Sequence, residues 1–356
     1  MTGTGQGAIL VINAGSSSIK YALFDGRLNK AFSGQVDIST KAGTGVSDHA
    51  TALAQIVEDL AQNGTPITSL SAAVHRVVHG GATLTEPTRI TPAVLAQIHA
   101  CTPLAPLHNP HNTRAIVKIA EIAPNLPQFA SFDTAFHSTN PDVATRYAVP
   151  IDWHKANIRR FGFHGISYQA LVANFPGRTP EKLLAFHLGN GASICAILNG
   201  KSVATTMGYS PLEGLTMGTR SGSIDAAAVL RMAQESDPET TLETLNNMSG
   251  LYALSGGISD MKELTETNTP ATRFAIEHFC YWAARHAGSM IAAMGGVDAI
   301  AFTGGIGENA TEIRTSITNM LDWAGVKSAN IHIIPAAEER QIAQNALYLL
   351  RDSDAD

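Results

Sequence analysis

The stretch AILVINAGSSSIKYALFD, residues Ala8–Asp25, decides the fold. Its β-branched residues Ile9, Val11 and Ile12, bounded by Gly7 and Gly15, predict a strand, and the apolar run Tyr21, Leu23 and Phe24 predicts a second. Between them stand one glycine, three consecutive hydroxyls (Ser16, Ser17, Ser18) and Lys20. A tight turn of that composition brings backbone N–H groups, hydroxyls and an ammonium towards one point, which makes a cradle for phosphate. The same residues also spell an ordinary polar hairpin turn, and the segment alone does not choose between the two.

The shape recurs. KLLAFHLGNGASICAILNG, residues 182–200, is again an apolar strand, a small glycine-rich turn and a second apolar strand, so the chain is expected to contain a duplicated domain. VDAIAFTGGIGENATEIRTSI, residues 297–317, gives a third strand running into a glycine turn and a helix, with Asn309 or Thr311 as the expected N-cap. A strand feeding a helix N-terminus through glycines suits an anion, because the N–H groups and the helix dipole face it together.

With 356 residues, 44% hydrophobic and 15% charged, the chain has the material for two well-cored domains. A net charge of −6 argues against a general electrostatic partnership with nucleic acid or anionic membrane, so any anionic substrate must be held by local positive charge. The start MTGTGQG lacks the features of a signal peptide, and no apolar run of about 18 residues is present, so a soluble cytoplasmic protein is expected. Three scattered cysteines, Cys101, Cys195 and Cys280, fit a reducing compartment.

Elsewhere, TKAGTGVSD (residues 40–48) reads as a connector and TALAQIVEDLAQNG as an amphipathic helix stopped by Gly64. LSAAVHRVVHGG reads as a strand ending at a glycine pair and carrying Arg76 between His75 and His79. The HNPH segment is expected to be irregular, with helix periodicity from about Thr113; its histidines suggest either a metal or ordinary satisfied loop residues. QFASFD reads as a strand ending on Asp133, an acid whose burial is costly unless it is paired or functional, and Arg76 is the candidate partner. Composition changes near Pro150, where His164 sits on a glycine-flanked turn. Arg220 lies in a long glycine-punctuated loop, and the Ala- and aromatic-rich segment TRFAIEHFCYWAARHAGSMIAAM is expected to be a helix buried between domains or subunits. The chain closes with a strand, NIHIIP, the pair Glu338 and Glu339, and a last helix frayed at RDSDAD.

Glycine-rich turns, isolated arginines, a turn histidine and strand-end carboxylates describe a site for phosphoryl transfer, which calls for positioning and charge neutralisation. In order, VINAGSSSIKY, HRVVHGG, LAPLHNP, FDTAFH, FGFHGISY, HLGNGAS, MGTRSGSID and FTGGIGEN resemble the acetate kinase family of the sugar kinase/Hsp70/actin superfamily, from about Ile9 to Ala343. The resemblance implies an α/β protein of duplicated RNase H-like (actin/Hsp70-type) domains with an interdomain active-site cleft. The first domain is expected at 1–149 plus the returning helix 340–356, and the nucleotide-binding second at 150–339. It also implies a homodimer and reversible, Mg²⁺-dependent transfer of the ATP γ-phosphoryl group to acetate, with ADP as the other product and Mn²⁺ as the alternative ion.

By motif, Asn13 and Glu338 would hold the metal, Ser16, Ser18 and Lys20 would lie near the transferring phosphate, and Arg76 would bind the carboxylate. Asp133, His164 and Arg220 match the catalytic groups. His187, Leu188, Gly189, Asn190 and Gly191 match phosphate contacts. Asp260, Met261 and Lys262, with Gly305, Ile306, Gly307, Glu308 and Asn309, match the border of the nucleotide. Val78, Leu107, Phe163 and Pro211 match an apolar pocket for the acetate methyl. One methylene is worth only about 1–3 kcal/mol, so propionate is expected as a slower substrate. The chain departs from the family pattern at Tyr168, where histidine is usual, at Lys262, where arginine is usual, and at AAEE, residues 336–339. The alternatives are a propionate or butyrate kinase of the same family, or a non-catalytic nucleotide-binding sensor.

Overall fold

The computed structural model describes residues 7–38 and 45–353. The expected connector lies partly outside them, at 40–44, as do residues 354–356 of the tail. The chain packs as two units, Met1–Phe136 with Ala337–Asp356, and His137–Ala336. The first division falls before the expected 149/150 because the segment after Phe136 is tied into the second unit. There Nδ1 of His137 pairs with the Ser202 hydroxyl at 2.8 Å, and Oγ1 of Thr139 donates to the Ser202 carbonyl at 2.7 Å.

In the first unit, β1 (Ile9–Ala14), β2 (Ser18–Phe24) and β3 (Lys30–Asp37) form an antiparallel meander. β4 (Ala72–Val77) runs parallel to β1, the short β5 (Thr88–Arg89) lies at the edge, and β6 (Gln128–Phe132) runs parallel to β4. The order is β3-β2-β1-β4-β6-β5. In the second unit, β7 (Lys182–Leu188), β8 (Ala192–Leu198) and β9 (Lys201–Thr205) repeat the meander. β10 (Ala299–Thr303) is parallel to β7 and β11 (Ile331–Ile333) to β10, in the order β11-β10-β7-β8-β9. Apart from β5 the two sheets share one topology, the duplication expected of the repeated hairpins and the RNase H-like plan that the family resemblance implies.

Alternation along the strands assigns the faces of the first sheet. Leu10, Ile12 and Ala14 of β1, with Ile19, Tyr21 and Leu23 of β2, pack in one core with Leu53, Ile56 and Leu60 of helix His49–Gln62 and Ile119 of helix Asn109–Ile122. The opposite face therefore carries Val11 and Asn13, and Ser18 and Lys20. The helix Glu338–Ser353 returns over that face, where Nδ2 of Asn345 donates to the Ser131 hydroxyl at 3.2 Å.

The helix around HNPH begins at Asn109 rather than near Thr113, because Pro110 sits in its first turn, where its missing N–H costs nothing. Neither Asn309 nor Thr311 caps the helix Thr311–Asn319: its N-cap is Ala310, while Asn309 donates to the Gly305 carbonyl at 2.9 Å. The Ala-rich segment is a helix, Pro270–Met294, that packs on β8 with Phe274 and Tyr281 exposed. Among the described residues no helix is long and apolar enough to cross a membrane, and Cys101, Cys195 and Cys280 are free and buried.

Candidate active site

Register places the charged groups of the first unit on one face. Asn13 pairs with Lys20 across the hairpin, and Ile12 pairs with His75, so Arg76 follows on β4 beside Asn13. Arg76 pairs in turn with Ser131 on β6, and Asp133 comes two residues later, with its backbone N–H on the Val77 carbonyl at 3.1 Å. Asn13, Lys20, Arg76 and Asp133 thus gather where the parallel strands end, the position at which open α/β sheets bind ligands. Glu338, at the start of the returning helix, is close enough to act on the charges of both Arg76 and Asp133.

Arg76 grips Asp133 by a fork. Nε donates to the two carboxylate oxygens at 3.0 and 3.1 Å, and Nη2 donates to Oδ2 at 2.6 Å. The Asp133 side chain is 4% exposed and that of Arg76 21%. Burial pulls the Arg76 pKa down, but the charges of Asp133 and Glu338 outweigh it, and the guanidinium stays protonated. Burial, helped by Glu338, pushes the Asp133 carboxyl above its ordinary range despite the arginine. Such a pair holds the guanidinium in one orientation.

The HNPHN segment works through its asparagines. Asn109 exchanges two bonds with the His79 peptide, Oδ1 accepting from N–H at 3.1 Å and Nδ2 donating to the carbonyl at 3.0 Å. Asn112 accepts from Val78 N–H at 3.1 Å and donates to the Ala14 carbonyl at 2.9 Å, tying the strand end after Arg76 to the end of β1. Among the described residues no three His, Cys, Asp or Glu side chains gather in a metal-binding group.

In the second unit the turn Gly189–Gly191 joins β7 to β8, and two histidines border it. His164 holds a left-handed conformation, φ 58° and ψ 20°, at the start of helix Gly165–Ala173. Its ring lies 4.1 Å from that of His187, centroid to centroid. Each Nδ1 meets a serine hydroxyl: His164 meets Ser193 at 2.9 Å and His187 meets Ser167 at 2.8 Å. A methyl at Gly191 would sit 3.2 Å from Nε2 of His164, close enough that the ring would have to give, and at an ordinary contact distance of 3.6 Å from Nη1 of Arg220, so both groups border the turn. Arg220 is held in its long loop by an Nη1 bond to the Pro211 carbonyl at 3.2 Å.

Beside this turn opens a cavity of about 980 Å³. Of the expected nucleotide residues, Gly189, Asn190, Met261, Gly305 and Ile306 line it, together with Asp260, Lys262 and Asn309. Lys262 is exposed and lies 3.8 Å from Glu266. Asp260 caps the helix Met261–Thr267 by accepting from Glu263 N–H at 3.0 Å. Leu188 and Gly307 are buried behind the cavity wall, and Glu308 turns back to accept from Gly304 N–H at 3.1 Å and Ala336 N–H at 2.9 Å. Gly304 is required there: its φ is +84° and a Cβ would meet the Leu188 carbonyl at 2.7 Å.

The four expected pocket residues divide between the units. Val78 and the half-exposed Leu107 belong to the first; Phe163, 1% exposed, and Pro211 belong to the second. Ser167 and Ser193 were not singled out from sequence. The signal for Ser193 is a polar residue in the apolar strand ASICAIL, directly opposite His187 in register.

The chain is 40% identical over 350 residues to an acetate kinase of Rhodopseudomonas palustris, covering 89% of this chain and 87% of that protein. An acetate kinase of Porphyromonas gingivalis superposes with a TM-score of 0.89 at 31% identity, covering 97% of this chain and 100% of the other. A propionate kinase of Francisella tularensis superposes equally well, 0.89 at 34% identity, covering 95% and 98%. A model of the Acetokinase family matches residues 8–346, and the chain belongs to that family.

Proposed function

We propose that this protein is an acetate kinase, transferring the γ-phosphoryl group of ATP reversibly to acetate to give acetyl phosphate and ADP. The observation that carries this within the family is the meeting of His164 and Arg220 at Gly191, beside a cavity of nucleotide size. A carboxylate is already ionised at neutral pH and needs no base. Its oxygen attacks the γ-phosphorus, an O–P bond forms, and the bond to the ADP oxygen breaks with its electron pair leaving on ADP. The obstacle is repulsion between anions.

Asp133 occupies Nε and Nη2 of Arg76, which turns Nη1 to the incoming carboxylate, so Asp133 orients the arginine rather than acting as a base. Arg220 and His164 offset the charge spreading over the equatorial oxygens, and Ser16, Ser18 and Lys20 assist from the first hairpin. An all-oxygen pair, the Asn13 carboxamide and the Glu338 carboxylate on one sheet face, fits Mg²⁺ or Mn²⁺, ions that complete their shell with water and phosphate oxygens. Bound there, the ion would neutralise phosphate charge. We assign the protein to the cytoplasm on its free thiols, and to a homodimer through the exposed Phe274 and Tyr281 of helix Pro270–Met294.

Hydroxamate trapping with acetate, propionate and butyrate against ATP, GTP and pyrophosphate tests the assignment. Acetate with ATP should give the highest catalytic efficiency; equal efficiency on butyrate would overturn the small pocket. A propionate preference is the second reading, favoured by the Francisella tularensis likeness.

A further inference from the structure

Tyr168 is fully buried in the helix Gly165–Ala173, four residues beyond its N-cap His164. Its hydroxyl lies 2.6 Å from Oγ of Ser193, and that same Oγ lies 2.9 Å from Nδ1 of His164. Burial, with the neighbouring Cys195, holds the phenol pKa well above its ordinary value, so the hydroxyl keeps its proton. The backbone N–H of His187 already donates to the phenol oxygen.

We infer that Tyr168 and Ser193 are positioning residues that fix His164 as a neutral imidazole with its proton on Nε2, the nitrogen nearest the Gly191 turn. A buried phenol proton must be given to an acceptor, and Ser193 Oγ is in place to take it. Ser193 then turns its own proton to Nδ1 of His164, which accepts with its lone pair. The ring proton is left on Nε2, as a donor towards the phosphoryl group. Protonating Nδ1 would aim two donors at Ser193 and deprive the serine proton of its acceptor, so the relay also opposes the imidazolium. The inference rests on the proposed phosphoryl transfer and adds how the histidine is set for it.

The test is Tyr168→Phe, which keeps the ring and removes the proton, with Ser193→Thr as the variant that keeps the hydroxyl. Long-range ¹H–¹⁵N spectra of histidine-labelled protein, with His164 assigned by its loss in His164→Gln, read the tautomer directly. Expected are the Nε2–H form in the parent, and a mixture of tautomers with a His164 titration moved to higher pH in Tyr168→Phe. The kcat of Tyr168→Phe should fall about tenfold with KM for ATP and acetate within about threefold, and Ser193→Thr should retain the parental tautomer. An Nδ1–H parent, or a Tyr168→Phe protein with parental spectrum and kcat, overturns the inference. A parent with the Nε2–H form but no turnover of any carboxylate would instead overturn the proposed reaction, so the two failures are separable.

Discussion

The turn after β1 and the turn after β7 hold the same place in two sheets of the same order, yet their surroundings are of opposite chemistry. Around Gly15–Ser17 the groups are fixed charges: Arg76 locked to Asp133, with Glu338 and Lys20 on the same face. Around Gly189–Gly191 they are two imidazoles, each set by a serine hydroxyl, plus Arg220. On the proposed function, a duplicated scaffold offers one site for an anion that is charged throughout, and another for charge that develops during reaction. The first calls for a permanent counter-charge, the second for donors that are pre-aimed.

The largest expected effect separates the units by acid. Burial lowers the pKa of His75 and His79 in the first unit, and of His137 in the second, each to about 4 from 6.5. The unfolded chain takes up these protons first, so stability is intact above pH 6.5 and falls as pH drops towards 4. At pH 5 each histidine costs on the order of 2 kcal/mol, large against the 5–15 kcal/mol typical of a domain. Smaller downward shifts of His111 in the first unit and of His278 and His286 in the second add in the same sense. With two strongly shifted histidines, the first unit should unfold at the higher pH. Trp153, Trp282 and Trp323 all lie in the second, so circular dichroism should change before tryptophan fluorescence on acid titration. Coincident transitions would contradict the difference.

Next, Arg220→Ala should lower kcat roughly 10³-fold, as loss of an arginine finger does, with the fold retained. A residual activity within about tenfold of the parent removes it from the transition state. Asp133→Asn should cost about 10²-fold, because the Arg76 fork loses its charged anchor. Near-parental turnover would make the ion pair purely structural. The finest comparison is between the turns themselves. Gly191→Ala pushes on His164 and should cost about tenfold in kcat. Gly15→Ala meets the Ser18 carbonyl almost as tightly, at 3.3 Å, but touches no imidazole, and should stay within about threefold in kcat. Equal losses would mean that the second turn has no special need for close approach.

The hairpins were legible in the chain because their signals are local, and Arg76, Asp133, His164 and Arg220 stood out there as candidates; the expected glycine turn after β10 is instead the short helix Gly304–Asn309. Strand alternation has period two, and a glycine marks a tight turn within a few residues. The start of the helix at Asn109 was misread because Pro110 reads as a breaker when it is a first-turn residue. The boundary after Phe136 was invisible, since the segment that follows is claimed by Ser202, some sixty residues away.

By itself, the sequence determined the repeated strand–turn–strand plan and the residue types able to meet phosphate, because backbone preference and side-chain chemistry belong to each residue and its neighbours. Only the tertiary structure decided that Arg76 is locked by Asp133, and that Ser193 answers to both Tyr168 and His164. A hydrogen bond depends on where its two partners lie in space, and folding brought these together from 25 to 57 positions apart.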